Sequence, residues 1–60
     1  MLTIKRVTMK DGATLIAIKD RTTGKTVRNI DGPGFAYFLT LEHAEARIED
    51  YIAYFEKMAM

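Results

Sequence analysis

Lys10-Asp11-Gly12-Ala13 sits between two runs rich in β-branched residues, Leu2–Lys10 and Ala13–Asp20. An Asp-Gly pair is the favoured two-residue hairpin loop because both positions tolerate positive φ. A second turn signal, Arg21-Thr22-Thr23-Gly24, separates Ala13–Asp20 from Lys25–Ile30, with Gly24 able to supply a left-handed position. Three antiparallel strands in a meander follow from these two turns, and Asp31-Gly32-Pro33-Gly34 ends the third. Phe35–Leu39 is apolar and reads either as an extended plug or as an early helical turn.

Beyond it the period changes from two to between three and four. Leu41, Ala44, Ile48, Tyr51, Phe55 and Met58 recur at spacings of three and four, the seam of an amphipathic helix. Thr40 is the expected N-cap, Glu42 suits the positive first turn, and Lys57 suits the negative last one. The expected fold is α+β: a three-stranded antiparallel β-meander followed by one C-terminal α-helix packed on one sheet face, β-β-β-α. Residues 1–60 form a single small domain.

A two-residue loop at Asp11-Gly12 sets Val7 opposite Ile16, Arg6 opposite Ala17 and Lys5 opposite Ile18. A loop at Arg21–Gly24 sets Ile18 opposite Val27. The bed for the helix is then Val7, Met9, Ile16, Ile18 and Val27. The open face holds Ile4, Arg6, Thr8, Leu15, Ala17, Lys19, Thr26, Arg28 and Ile30. A slip of one residue would exchange the faces.

The charges are segregated. Residues 1–34 carry seven basic against three acidic side chains, a net +4, and residues 35–60 carry two against five, a net −3. Such a dipole concerns partners and encounter. With no cysteine and one histidine, neither disulfides nor a structural zinc site is expected, and no cofactor or catalytic group is read. Packing, a partner or a homodimer must contribute the stability that so small a core lacks. No signal peptide or membrane span is read, which points to the cytoplasm.

The open face reads either as a solvated outer face with a few stray aliphatics or, since arginine beside exposed aliphatic area typifies interfaces, as a binding surface whose candidate partner-binding set is Arg6, Lys19, Arg28, Leu15 and Ile30. A second stripe, His43, Arg47, Asp50 and Tyr54, runs along one helix flank at spacings of four, three and four. An Arg47–Asp50 pair in solvent is its first reading, an interaction stripe its second and acid–base chemistry a distant third.

Lys19-Asp20-Arg21-Thr22-Thr23-Gly24-Lys25, then Phe35 and Thr40-Leu41-Glu42-His43-Ala44, resemble the arm-type DNA-binding domain of tyrosine recombinases. The resemblance implies a sheet that enters the major groove, with Arg6, Lys19 and Arg28 facing the nucleic acid. The function expected first is that of a small non-enzymatic protein docking on a larger protein partner, an inhibitor or modulator of the phage or mobile-element type. A DNA-binding accessory module is the alternative.

Overall fold

The computed structural model describes residues 1–59. Its elements run β1 (Leu2–Thr8), β2 (Thr14–Asp20), β3 (Tyr37–Phe38) and α1 (Leu41–Ala59). The three strands form one antiparallel sheet in the order β1-β2-β3. The helix lies across one sheet face, so the architecture is the expected β-β-β-α.

The first hairpin departs from expectation by one residue. Met9 N–H donates to the Ala13 carbonyl at 2.7 Å, and Gly12 N–H donates to the Met9 carbonyl at 3.0 Å. The loop is therefore three residues, Lys10-Asp11-Gly12, a type I turn with Gly12 at φ 90° forming the bulge. The Asp11 carboxylate accepts the Ala13 N–H at 2.9 Å and holds the turn. Ile4 is consequently opposite Ile18, Arg6 opposite Ile16 and Val7 opposite Leu15. Every β1 side chain changes face relative to the two-residue reading.

The second loop is the expected four residues. Gly24 N–H donates to the Asp20 carbonyl at 2.8 Å, and Lys19 bridges to Thr26. Residues 25–30, however, contribute only isolated bridges at Thr26 and Arg28, and the third strand is Tyr37–Phe38, from the segment read as a plug or helical turn. The reason lies at Ile18. Its N–H donates to the Ala36 carbonyl (3.1 Å), Ala36 N–H donates to the Val27 carbonyl (2.9 Å), and Val27 N–H donates to the Ile18 carbonyl (3.0 Å). Three chain segments close a ring of backbone hydrogen bonds, so no polar main-chain group there is orphaned. Ala36 is 1% exposed, and only a small side chain suits that crossing.

The core is Ile18, Ala36 and Tyr51, with Leu2, Ile4, Val27, Ile30, Phe38, Ile48 and Phe55 packed around it. Thr40 caps the helix, its Oγ1 accepting the His43 N–H at 3.1 Å. The expected seam is buried only in its middle: Ala44 and Tyr51 are buried, but Leu41 and Met58 are exposed. The terminal turns of the helix therefore lie beyond what the sheet covers.

Candidate docking surface

Among the described residues no helix or strand covers the sheet face turned away from α1. Side chains alternate along a strand and opposed residues share a face, so the register assigns that face residue by residue. Thr3, Lys19 and Thr26 form one row, Lys5, Ala17 and Tyr37 the next, and Val7 and Leu15 a third. Ala17 is fully buried beneath its larger neighbours. The surface around it combines half-buried Val7, Leu15 and Tyr37 with the ammonium groups of Lys5 and Lys19. At its end a shallow hollow of about 310 Å³ is lined by Thr3, Lys5, Lys19, Asp20, Arg21 and Gly24. Three cations thus converge where Asp20 is the one carboxylate.

The candidate binding residues are divided by this register. Lys19 and Leu15 stand on the open face as expected. Arg6, paired with Ile16, belongs to the helix side and is solvent-exposed there. Ile30 is half-buried and packs on the core around Ile18 and Tyr51 rather than on the open face. Arg28 is exposed at a bridge to Phe35 and lines a different, apolar groove beside the helix. Val7, expected beneath the helix, is on the open face, and Met9 falls in the hairpin end.

Lys5, Val7, Arg21 and Tyr37 are the members that sequence reasoning missed. One signal was present. The two-residue loop set Lys5 opposite Ile18, a charge at the centre of the core, whereas the three-residue loop sets Ile4 there. Burying an unpaired ammonium is far costlier than inserting a bulge.

The helix stripe is built into the fold. Arg47 donates to Asp50 at 2.8 Å, the expected pair, and also to the Asp31 carboxylate of the 29–34 loop. One turn on, the Tyr51 hydroxyl donates to Asn29 Oδ1 at 3.2 Å. Asn29 Oδ1 also accepts the Asp31 N–H at 2.9 Å, so one short loop fastens both helix residues. His43 rests edge-on against Phe38, ring centroids 4.9 Å apart. Among the described residues no hydrogen bond joins His43 to Asp50, and no three His, Asp or Glu side chains gather as a metal cluster. His43, Asp50 and Tyr54 are all exposed, and the Tyr54 ring meets Phe55 edge-on, ring centroids 5.3 Å apart.

Glu42, Glu45, Glu49 and Glu56 are exposed on the helix. The charge segregation of the sequence therefore becomes spatial, with a basic outer sheet face in one layer and an acidic helix in the other. Among the described residues no helix is long and apolar enough to cross a membrane. No family model, curated protein or solved structure matches the chain.

Proposed function

We propose that this chain is a small non-enzymatic binding protein that docks on a larger protein through the open face of its sheet, acting as an inhibitor or modulator. The observation that carries the reading is the composition of that face. Two aliphatic side chains and a tyrosine, one from each strand, share that face, and Lys5, Lys19 and Arg21 flank them. An apolar centre with a charged rim is the anatomy of protein interfaces, and aromatic residues are enriched at their centres. The matching surface is an apolar patch bordered by Asp and Glu. Rim charges of this kind set encounter rate and partner choice more than affinity.

The second reading, duplex DNA, is favoured by the three cations of the hollow and by the recombinase resemblance. It uses the same face but makes a different demand. Each phosphate neutralised adds about 0.9 to the slope of log K against log salt, whereas an apolar interface weakens modestly. Three cations give a slope of about 3.

Both readings are tested with one pair of variants. Lys5→Glu/Lys19→Glu reverses the open face, and Glu45→Lys alters the helix as a control. Capture of a protein partner that survives nuclease treatment, is lost with the sheet variant and is kept with the control supports the protein reading. A shift of random duplex by micromolar chain at about 0.15 M salt, within the range of non-specific binders, replaces it with the DNA reading. Retained capture by the folded sheet variant removes the open face as the site.

A further inference from the structure

β1 is an edge strand with its outer side open. The sheet order places it beside β2 only, and its seven residues pair with β2 without a break from Leu2↔Asp20 to Thr8↔Thr14. In an antiparallel pair, alternate residues turn both main-chain groups towards the neighbour, and the residues between them turn both away. Two bonds that flank the ladder fix which are which. Arg21 N–H donates to the Met1 carbonyl at 2.8 Å, and Met9 N–H donates to the Ala13 carbonyl at 2.7 Å. The odd-numbered residues of β1 therefore bond to β2. Ile18, opposite Ile4, agrees, because its N–H and carbonyl are engaged by Ala36 and Val27 on the other side. The N–H and carbonyl of Leu2, Ile4, Arg6 and Thr8 consequently point out of the sheet edge. None of the other main-chain hydrogen bonds among the described residues uses them.

An open edge is a template for another strand, and proteins blunt it with a bulge, a proline, a covering segment or charge. Leu2–Thr8 contains no proline or glycine and its pairing is unbroken. Its guard is charge: Lys5 and Arg6, both exposed. As neighbours in a strand they stand on opposite faces, Lys5 on the open face and Arg6 on the helix side, so the edge is positive on both faces at one place. A second copy in the antiparallel register that pairs the whole strand sets Lys5 against Lys5, and like charges directly opposite are destabilising. The same two charges favour a strand with carboxylates at consecutive positions. On the helix side the rest of the row is apolar. Ile4 packs on the core, and Leu2 lines a groove of about 600 Å³ beside Ile52 and Phe55. An antiparallel strand meets Arg6, Lys5, Ile4 and Leu2 in that chain order, with Thr3 before Leu2. Its complementary pattern is two acidic residues, then an apolar one, then a second apolar one two positions on.

We infer that an extended, acidic segment of a protein partner adds to β1 as a further antiparallel strand, with carboxylates opposite Arg6 and Lys5 and apolar side chains opposite Ile4 and Leu2. Main-chain bonds to the open edge supply affinity, and the side-chain pattern supplies choice. The inference stands apart from the open-face reading, since it uses the main-chain groups of one edge rather than the side chains of a face.

The probe is a synthetic peptide of about nine residues, enough to cover a strand of this length, with Glu-Asp-Val-Thr-Leu at its centre. Its control has lysine at both acidic positions. Amide hydrogen exchange of the whole chain, read by NMR, should slow about tenfold or more at Ile4 and Arg6 with saturating acidic peptide. The acidic peptide should bind about tenfold or more tighter than the control, and Lys5→Glu/Arg6→Glu should reverse that preference. N-methylation of the Arg6 amide, introduced by chemical synthesis of the chain, removes one outward donor and no bond to β2. It should weaken binding about tenfold with far-UV circular dichroism unchanged. Lys19→Glu, which alters the open face alone, should stay within about threefold of the parent. Unchanged exchange at Ile4 and Arg6 with about 1 mM peptide, equal affinity for the two peptides, or full binding by the N-methylated chain overturns the inference. Protection that rises with chain concentration in the absence of peptide overturns it in favour of a second copy. Loss of binding with Lys19→Glu but not with N-methylation moves the peptide to the open face.

Discussion

Tyr51 joins every layer of the domain, so a graded truncation there separates packing from hydrogen bonding. It is 1% exposed, contacts Ile18 and Ala36 in the core, and meets the Phe38 ring edge-on at 6.2 Å. Its hydroxyl donates to Asn29 Oδ1 at 3.2 Å. Tyr51→Phe removes that bond but orphans nothing buried, because Asn29 Oδ1 keeps the Asp31 N–H. The loss is the net value of one hydrogen bond, about 0.5–1.5 kcal/mol. Tyr51→Ala removes the ring and leaves a cavity beneath the helix, a change that costs about 3–5 kcal/mol for aromatic residues in cores. A domain of sixty residues has about 3–9 kcal/mol in total, so this variant loses about a third or more of it. Urea denaturation followed by far-UV circular dichroism, at one protein concentration throughout, reads both values. A Tyr51→Ala variant within about 1 kcal/mol of the parent would refute the placement of the ring. A Tyr51→Phe variant that lost more than about 2 kcal/mol would show that the 29–34 loop depends on the hydroxyl far more than one bond allows.

The register of the first hairpin predicts unequal costs for two aliphatic residues three positions apart. Ile4→Ala should destabilise by about 1–3 kcal/mol and Val7→Ala by under about 1 kcal/mol, since Ile4 packs on the core and Val7 faces outward; equal or reversed losses in urea melts would return the two-residue loop. At the hairpin end, Gly12→Ala should cost about 1–2 kcal/mol from its φ of 90° alone, because an added Cβ meets nothing within 4 Å. Gly32→Ala, equally uncrowded and without a positive φ, should be neutral or stabilising by up to about 1 kcal/mol. Thermal melts of the two glycine variants separate backbone strain from packing.

The division between local and global information runs through particular residues. Thr40, the three-and-four spacing from Ala44 to Phe55, and the Arg21–Gly24 loop were legible because each depends on neighbours within a few positions of the chain. Ile16, Ile18 and Val27 were assigned to the helix side correctly for the same reason, since the second loop fixes their register. The first hairpin was not decided locally. Asp11-Gly12 is compatible with loops of two or three residues, and the choice was made by which side chain meets Ile18 under the helix. An isoleucine opposite it buries apolar surface, whereas a lysine would bury charge. That choice moved Arg6 off the candidate docking face and brought Lys5 and Val7 onto it.

The third strand was settled in the same way. Lys25–Ile30 and Phe35–Leu39 both had the composition to pair with β2, and short strand signals do not rank such competitors. Tertiary structure divided the edge between them: the main chain at Ala36 closes the hydrogen-bond ring with Ile18 and Val27, and its small side chain is buried with Ile18 and Tyr51. The sequence by itself thus determined the first two strands, the helix and its cap, and the segregation of charge, all set by short-range spacing and composition. Which face each β1 residue occupies, and so which residues form the docking surface, was decided only when the helix closed over the sheet, because burial energy acts between residues distant in the chain.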